Sequence, residues 1–360
     1  MNICYFGSYH EKYQRNQIIR KGLAQNGVRV FTCNVPFELN YRFWKRYFKL
    51  FVQHRAIKND YDYLFVAEMN HKNMPLAYLL AKLYKKPLIF DPFISFYDTN
   101  VNDRRRFKKF SIGALESYLL DRISLKMADM VLADTLQHSY YYTDTFRVSK
   151  DKVRIVYVGV DDELFDRDRY NNILNREKKL VVCFYGSFVP LHGIEYIVRA
   201  ANILGQEEIE FKFIGQGQTY PMIEALVHKF KISNLTFLPP VPIEELPLKI
   251  KEADILLGIF GNSDKTQRVI PNKVFQSLAM GKPVITGDTP AIREVFKDRE
   301  NILLCKCADE NSLARAIMEL KENPPLRQRL ADNGYALVKE QYTPLALGKK
   351  LLQEMRNLQG

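Results

Sequence analysis

The chain has 360 residues, 47% of them hydrophobic, which is long enough for two domains with separate cores and excludes general disorder. Its formal charge of +12 bears on partners and not on fold. No stretch approaches the roughly 20 apolar residues that span a bilayer, and the opening MNICYFGSYHEK lacks the basic region and cleavage site of a signal peptide.

Short apolar runs alternate with helical patterns from the first residues onward. Asn2–Gly7 reads as a buried strand, Gln14–Asn26 as a helix and Val28–Cys33 as the next strand. Tyr63–Ala67, Leu88–Phe90, Met130–Ala133 and Val153–Val158 continue the series. Runs apolar on both faces and separated by helices indicate parallel strands of a doubly wound sheet. The polar stretch DRDRYNNILNREKK interrupts this rhythm. It then restarts with Leu180–Tyr185, Phe211–Ile214, Leu235–Leu238, Ile255–Leu257, Pro283–Thr286 and Ile302–Leu304. The expected fold is therefore α/β, with two Rossmann-like doubly wound domains facing a central cleft. The expected boundaries are 1–160 for an N-terminal domain, 161–178 for a linker and 179–342 for a C-terminal domain. A last helix, 343–360, should return toward the first domain.

Cys4, Cys33, Cys183, Cys305 and Cys307 are odd in number and scattered, and a single CxC is too sparse for zinc. They read as reduced thiols of a cytoplasmic protein.

The first strand ends in YFGSYHEKYQR, where Gly7 allows a tight turn and Arg15 lies in the first turns of the helix. FYGSFVPLHGIEYIVRAA repeats the strand–loop–helix plan, with Gly186 ending the strand, Ser187 offering a hydroxyl and His192–Gly193 opening the next helix. Free backbone N–H groups and a positive dipole end suit a diphosphate at such a place, and His192 could add a donor. Gly215 and Gly217 in FKFIGQGQTYPM lack the third glycine of a dinucleotide fingerprint and read as a turn beside a nucleotide.

DKTQRVIPNKVFQSLAMGKPVITGDTPAIRE is the most informative segment. Asp264, Lys265 and Arg268 precede a helix whose first turn should hold Pro271, Asn272 and Lys273, and Gly281 stops it. A buried strand follows, then a loop and another helix expected from near Pro290. Arg268 and Lys273, with the helix amides, could neutralise a departing pyrophosphate. DDE at 161–163 and DRD at 166–168 imitate a metal motif but sit in the linker, so no metal site is expected.

VRIVYVGVDDELF (153–165), FYGSFVPLHG and PNKVFQSLAMGKPVITGDTPAIRE together resemble family 4 of the retaining glycosyltransferases, of GT-B fold, over nearly all of residues 150–322. The resemblance implies that the helix near Pro271 faces the ribose and phosphates of a nucleotide, with Val241 near the base. The family's paired glutamates fall on Arg268 and Gln276; Gln276 can still hydrogen-bond ribose hydroxyls, whereas Arg268 cannot accept from a sugar. The family's basic pair falls on Ser187 and His192, which passes cationic duty to Arg268 and Lys273. Asp91 in LIFDPF matches the family's N-domain histidine. The resemblance further implies departing-phosphate assistance instead of a protein base, and no metal.

YRFWKRYFKLFVQHRAIK (41–58) contains no acid and interleaves Arg42, Lys45, Arg46, Lys49 and Arg55 with aromatics; as a helix it would carry Trp44, Tyr47, Phe48 and Phe51 as an apolar stripe. DRRRFKKF (103–110) adds a second basic cluster. Two readings stay open: an anionic membrane surface as partner, or a core-packed helix with a solvated basic face. No nucleic-acid reader motif is present.

The expected activity is transfer of a sugar from a nucleoside-diphosphate donor to a glycan or lipid-linked acceptor in surface polysaccharide or glycolipid synthesis, with no cofactor and with peripheral attachment at the inner membrane face. Asp91, Arg268 and Lys273 are the expected catalytic residues. Gly186, Ser187, His192, Gly193, Gly215, Gly217, Val241, Asp264, Asn272 and Gln276 are expected at the donor, and Gly7 and Arg15 at the acceptor. A GT-B epimerase or phosphorylase, and a non-catalytic GT-B subunit binding a partner enzyme or membrane, remain alternatives.

Overall fold

The computed structural model describes residues 1–39, 41–170 and 179–358. The chain divides into two units, Met1–Val158 with Thr343–Gly360, and Gly159–Tyr342.

In the first unit, strands β1 (Asn2–Gly7), β2 (Arg29–Asn34), β3 (Tyr63–Val66), β4 (Leu88–Phe90), β5 (Met130–Ala133) and β6 (Val153–Ile155) form one sheet in the order β2-β1-β3-β4-β5-β6. Every pairing is parallel, as runs such as YLFV and MVLA, buried at every position, require. Helices α1 (Gln14–Gln25), α2 (Phe43–Ile57), α3 (Met74–Leu83), α4 (Ile112–Met127) and α5 (Leu136–Phe146) make the crossovers. Leu50, Met74, Leu80, Leu125 and Phe146 carry α2 to α5 onto one sheet face, in a core with Phe6, Val66 and Phe90. The opposite face takes α1 and α12 (Pro344–Asn357), whose Leu351, Leu352 and Met355 pack with Ile3, Tyr5, Phe65 and Leu132. Each such burial is worth roughly 1.5–3 kcal/mol. Glycine permits the contact: a Cβ on Gly22 of α1 would lie 2.2 Å from the Pro344 carbonyl oxygen.

The second unit repeats the plan with β7 (Leu180–Tyr185), α6 (Ile194–Ile203), β8 (Ile209–Ile214), α7 (Tyr220–Phe230), β9 (Leu235–Leu238), α8 (Leu246–Lys251), β10 (Ile255–Leu257), α9 (Asn272–Ala279), β11 (Val284–Gly287), β12 (Leu303–Cys305), α10 (Glu310–Glu322) and α11 (Pro324–Gln341). Its six parallel strands run β12-β11-β10-β7-β8-β9. Phe184, Phe188, Phe213 and Ile197 lie in a core that extends to Ile317 of α10 and Leu330 of α11.

Several expectations need correction. Pro271 is extended (φ −74°, ψ 150°) and precedes α9, which starts at Asn272. The helix expected near Pro290 is one 3-10 turn, Ile292–Glu294. Its start signal is real, since Thr289 Oγ1 accepts from Ile292 N at 3.2 Å, but the buried Phe296 turns in against Phe275 and Arg299 takes a φ of +57°. Of the polar linker, residues 171–178 lie outside the described residues; Asp168–Tyr170 forms a 3-10 turn. All five cysteines are free, four of them buried and Cys307 half-buried.

Candidate functional site

In the second unit the strand order reverses between β7 and β10, so the loops after these strands part and open a crevice at their carboxyl ends. Gly186 follows β7, and the exposed Ser187 comes next. A cavity of about 240 Å³ is lined there by Gly186, Ser187, Gly215, Gln216, Val241 and Leu246. The loops after β7 and β8 lie against each other because Gly215, at φ +141°, has no Cβ: one would come within 2.1 Å of the Gly186 carbonyl oxygen. Gly217 lies against the Phe188 backbone in the same way. Gly193, at φ +61°, caps α6 and leaves room for Gly261 N, 2.4 Å from where its Cβ would be. His192 Nδ1 donates to the Ser187 carbonyl oxygen at 2.5 Å, which fixes the tautomer and holds the ring on its own loop.

α9 starts beside this loop and has no side-chain cap; Val274 N donates to the Pro271 carbonyl at 3.0 Å. Its second residue, Lys273, is buried, and its ammonium has no hydrogen-bond partner among the described residues. The Nζ lies 3.7 Å from the Phe184 ring centroid, and a Cβ on Gly186 would be 3.3 Å from it. Burial pushes the Lys273 pKa well below the ordinary lysine value. A buried cation without an anion is costly, and an anion bound at the Gly186 loop would offset that cost. Tyr185 Oη donates toward the Lys273 carbonyl and Gln276 Oε1, both at 3.1 Å, and lies 3.2 Å from Ser277 Oγ, joining β7 to α9. Asp264 is exposed, and Arg268 and Asn272 are half-buried. Their segment is tied to the His192 loop by Thr266 Oγ1, which donates to the Leu191 carbonyl at 3.2 Å.

In the first unit the order reverses between β1 and β3. Gly7 sits there with φ +149°, and a Cβ would meet the Asn70 side chain at 2.6 Å. Asn70 Oδ1 accepts from Ser8 N at 2.6 Å, which shapes the loop after β1. Arg15 and Asp91 are both fully buried. Arg15 Nε donates to Asp91 Oδ2 at 2.8 Å and its Nη1 to the Val156 and Tyr157 carbonyls at 2.7 and 2.9 Å. Burial works against the Arg15 charge, and the Asp91 carboxylate more than restores it, so its pKa ends above the ordinary value. The pair links α1 to the ends of β4 and β6, and neither side chain reaches the surface. It positions the strand ends and is not itself open to a ligand.

Sequence reasoning missed Tyr185, Phe184 and Glu68. The two aromatics read as strand core. Glu68 follows β3, is 3% exposed, and its Oε2 has no hydrogen-bond partner among the described residues. Burial and the neighbouring Asp91 raise its pKa to about 9. The lone acid in LFVAEMN was the available signal. The DDE and DRD runs serve local turns and surface ion pairs: Asp161 Oδ1 accepts from Glu163 N at 3.2 Å, Asp166 Oδ1 from Asp168 N at 3.0 Å, and Lys339 lies 3.3 Å from Asp162. Among the described residues no group of three or more His, Cys, Asp or Glu is placed to hold a metal ion.

Two doubly wound units with all-parallel six-stranded sheets make this a GT-B fold. The structure of HepE from Anabaena in complex with UDP-glucose matches it with a TM-score of 0.70 at 14% identity, covering 99% of this chain and 100% of that one. Residues 166–337 match the family model described as "Glycosyl transferases group 1", which covers nearly all of the second unit. An uncharacterized glycosyltransferase of Methanocaldococcus jannaschii is 28% identical over 51% of this chain and 48% of its own length. The putative teichuronic acid biosynthesis glycosyltransferase TuaH of Bacillus subtilis is 23% identical over 76% and 70%. The likeness to group 1 glycosyltransferases thus runs over nearly all of the second unit. The chain spans about half the length of most of the curated relatives it matches.

Proposed function

We propose that the protein transfers a sugar from a nucleoside-diphosphate donor to a glycan or lipid-linked acceptor in polysaccharide or glycolipid synthesis, with retention at the anomeric carbon and without a metal. The observation that carries the reading is the buried, unpartnered Lys273 ammonium beside the Gly186 loop. A diphosphate there would complete the charge of Lys273 and accept from the Asn272 and Lys273 amides of α9. Charge develops on that diphosphate as the sugar leaves, so the same contacts would favour the transition state over the ground state. The cavity at Val241 and Leu246 would take the base, and Gln276 the ribose hydroxyls. The relatives named for teichuronic acid and colanic acid biosynthesis support the polymer setting. HepE, whose structure was solved with UDP-glucose, supports a uridine donor. Retention and membership of family 4 rest on the sequence resemblance.

Calorimetric titration with UDP, GDP, TDP and ADP, without metal and then with magnesium, tests the donor site. Micromolar, metal-independent binding of one nucleotide, lost in Lys273→Ala, is the expected result. Unchanged binding in that variant would remove Lys273 from the site. Absence of binding by every nucleotide would favour the non-catalytic subunit, a reading prompted by Arg268 and Gln276 standing where the resemblance places carboxylates.

A further inference from the structure

The helix layer over one face of the first unit's sheet leaves its outer side apolar. On α2 only Leu50 and His54 are buried; Trp44 and Phe48 are exposed over roughly two-thirds of their surface, with Phe51 and Val52 beside them. The stripe expected for residues 41–58 therefore exists, less Tyr47, which is half-buried and donates through Oη to the Lys72 carbonyl at 2.6 Å. It faces outward, while Leu50 and His54 on the other side of the helix pack onto the core. α2 runs beside α3: the His54 ring lies 5.2 Å from that of Tyr84, and Lys58 Nζ is 5.7 Å from the same ring. α3 exposes Leu79 and Leu83, again by about two-thirds. α4 exposes Ile112, Leu115, Leu119 and Ile123, a spacing that puts them on one helix face, opposite the buried Ala114, Ser117, Asp121 and Leu125. Between α3 and α4 runs a groove of about 390 Å³ lined by Tyr78, Leu119, Arg122, Ile123, Lys126 and Met127.

Charge identifies the occupant. Residues 41–58 and 71–87 contain no acid, and residues 104–127 contain only Glu116 and Asp121. Asp121 is buried, accepting from Ser95 Oγ at 2.6 Å and from Phe96 N and Tyr97 N. The loop before α4 presents Arg105, Arg106, Lys108 and Lys109 to solvent around the fully exposed Phe110, while the Phe107 ring folds back over Gly113. Apolar side chains exposed together along three neighbouring helices mark an interaction surface. A second copy of this chain would bury the apolar stripes but leave this many like charges crowded. A bilayer with anionic headgroups takes both: side chains such as Trp44, Phe48, Phe110 and Ile112 enter the headgroup–acyl boundary while Lys and Arg reach the phosphates.

We propose that the outer face of α2, α3 and α4 docks the first unit on an anionic lipid surface. The proposal stands apart from the donor reading, since docking needs no nucleotide.

The test is sedimentation of the full chain with vesicles of 70% phosphatidylcholine and 30% phosphatidylglycerol, and with vesicles of phosphatidylcholine alone, with the oligomeric state followed by sedimentation velocity. Expected are binding to the anionic vesicles that weakens as salt rises, at least about tenfold weaker binding to neutral ones, and a roughly fivefold loss for each of Lys108→Gln and Lys109→Gln. The paired substitution Trp44→Ser with Phe48→Ser should weaken binding about tenfold or more while leaving the circular dichroism spectrum and nucleotide titration unchanged. Equal binding to both vesicle types, no binding to either, or self-association abolished by the same pair would overturn the proposal. Loss of nucleotide binding with vesicle binding intact would count against the donor reading only.

Discussion

The Lys273 ammonium lies 3.7 Å from the centroid of the Phe184 ring, inside the second unit, with no oxygen within hydrogen-bonding reach among the described residues. A cation held this way is a cost to the empty protein and an asset once an anion arrives. Replacing it with methionine should therefore act in opposite directions on two measurements. Lys273→Met should raise the stability of the nucleotide-free protein in urea unfolding, because an unpaired buried ammonium gives way to an apolar side chain. The same change should weaken binding of the preferred nucleoside diphosphate by about 1.5–3 kcal/mol, roughly 10- to 100-fold. A destabilised variant with normal binding would contradict both halves.

The Arg15–Asp91 pair gives a different expectation. Asp91→Ala strands a buried guanidinium that still donates to the Val156 and Tyr157 carbonyls, and should cost about 3–5 kcal/mol of stability. The loss should show in denaturant midpoint before any kinetic comparison is made. A variant of full stability and no activity would instead make Asp91 a group that touches substrate.

Glu68 sets a pH dependence whose sign follows from its raised pKa. Between the ordinary carboxyl value and about 9 the folded protein holds a proton that the unfolded chain has released. Stability should thus fall as pH rises through this window, by up to about 1.4 kcal/mol per pH unit for one proton. Asp121, raised by burial to about 7, contributes in the same direction only at lower pH. Glu68→Gln should flatten the decline between pH 7 and 9, measured as urea midpoint against pH; an unaltered slope would reject the assignment.

Two glycines with positive φ should respond unequally to alanine. Gly27, at φ +78°, has nothing within 4 Å of a new Cβ, so Gly27→Ala should cost about 1–2 kcal/mol of backbone strain. Gly215→Ala adds a clash with the Gly186 carbonyl and should cost about 3 kcal/mol or more, with weakened nucleotide binding as the loops separate. Equal thermal shifts would show that the loops yield.

The strands were legible because apolar runs buried on both faces leave few other structures open to them; Leu88–Phe90, Met130–Ala133 and Leu235–Leu238 coincide with β4, β5 and β9. The missing helix after Pro290 had a genuine local start in Thr289, and what ended it was the pull of Phe296 toward Phe275, a contact across 21 residues that no window of sequence displays. Lys273, Gln276 and the Gly186 loop could be picked out by residue type, and the structure does bring Gly186, Ser187, Gly215 and Val241 to one cavity. The Lys273 ammonium lies against Phe184, and Tyr185 holds the Lys273 carbonyl; both looked like strand core. Arg15 and Asp91 are 76 residues apart, so their mutual consumption was invisible from either motif. On α2, periodicity found the stripe but could not say which side of the helix the sheet would take.

α12 has its own consequence for how the molecule is made. The first unit is interrupted in sequence: Gly159–Tyr342 is spliced between its sheet and the helix that covers one face of that sheet. A ribosome delivers Ile3, Tyr5 and Phe65 long before Leu351 and Met355, and the part of that sheet face beside α1 must wait, wet and exposed, while the whole second unit emerges and folds. A nascent chain stalled before Thr343 would carry one finished unit and one sticky, half-clad one, the form of this protein that a chaperone would be expected to meet.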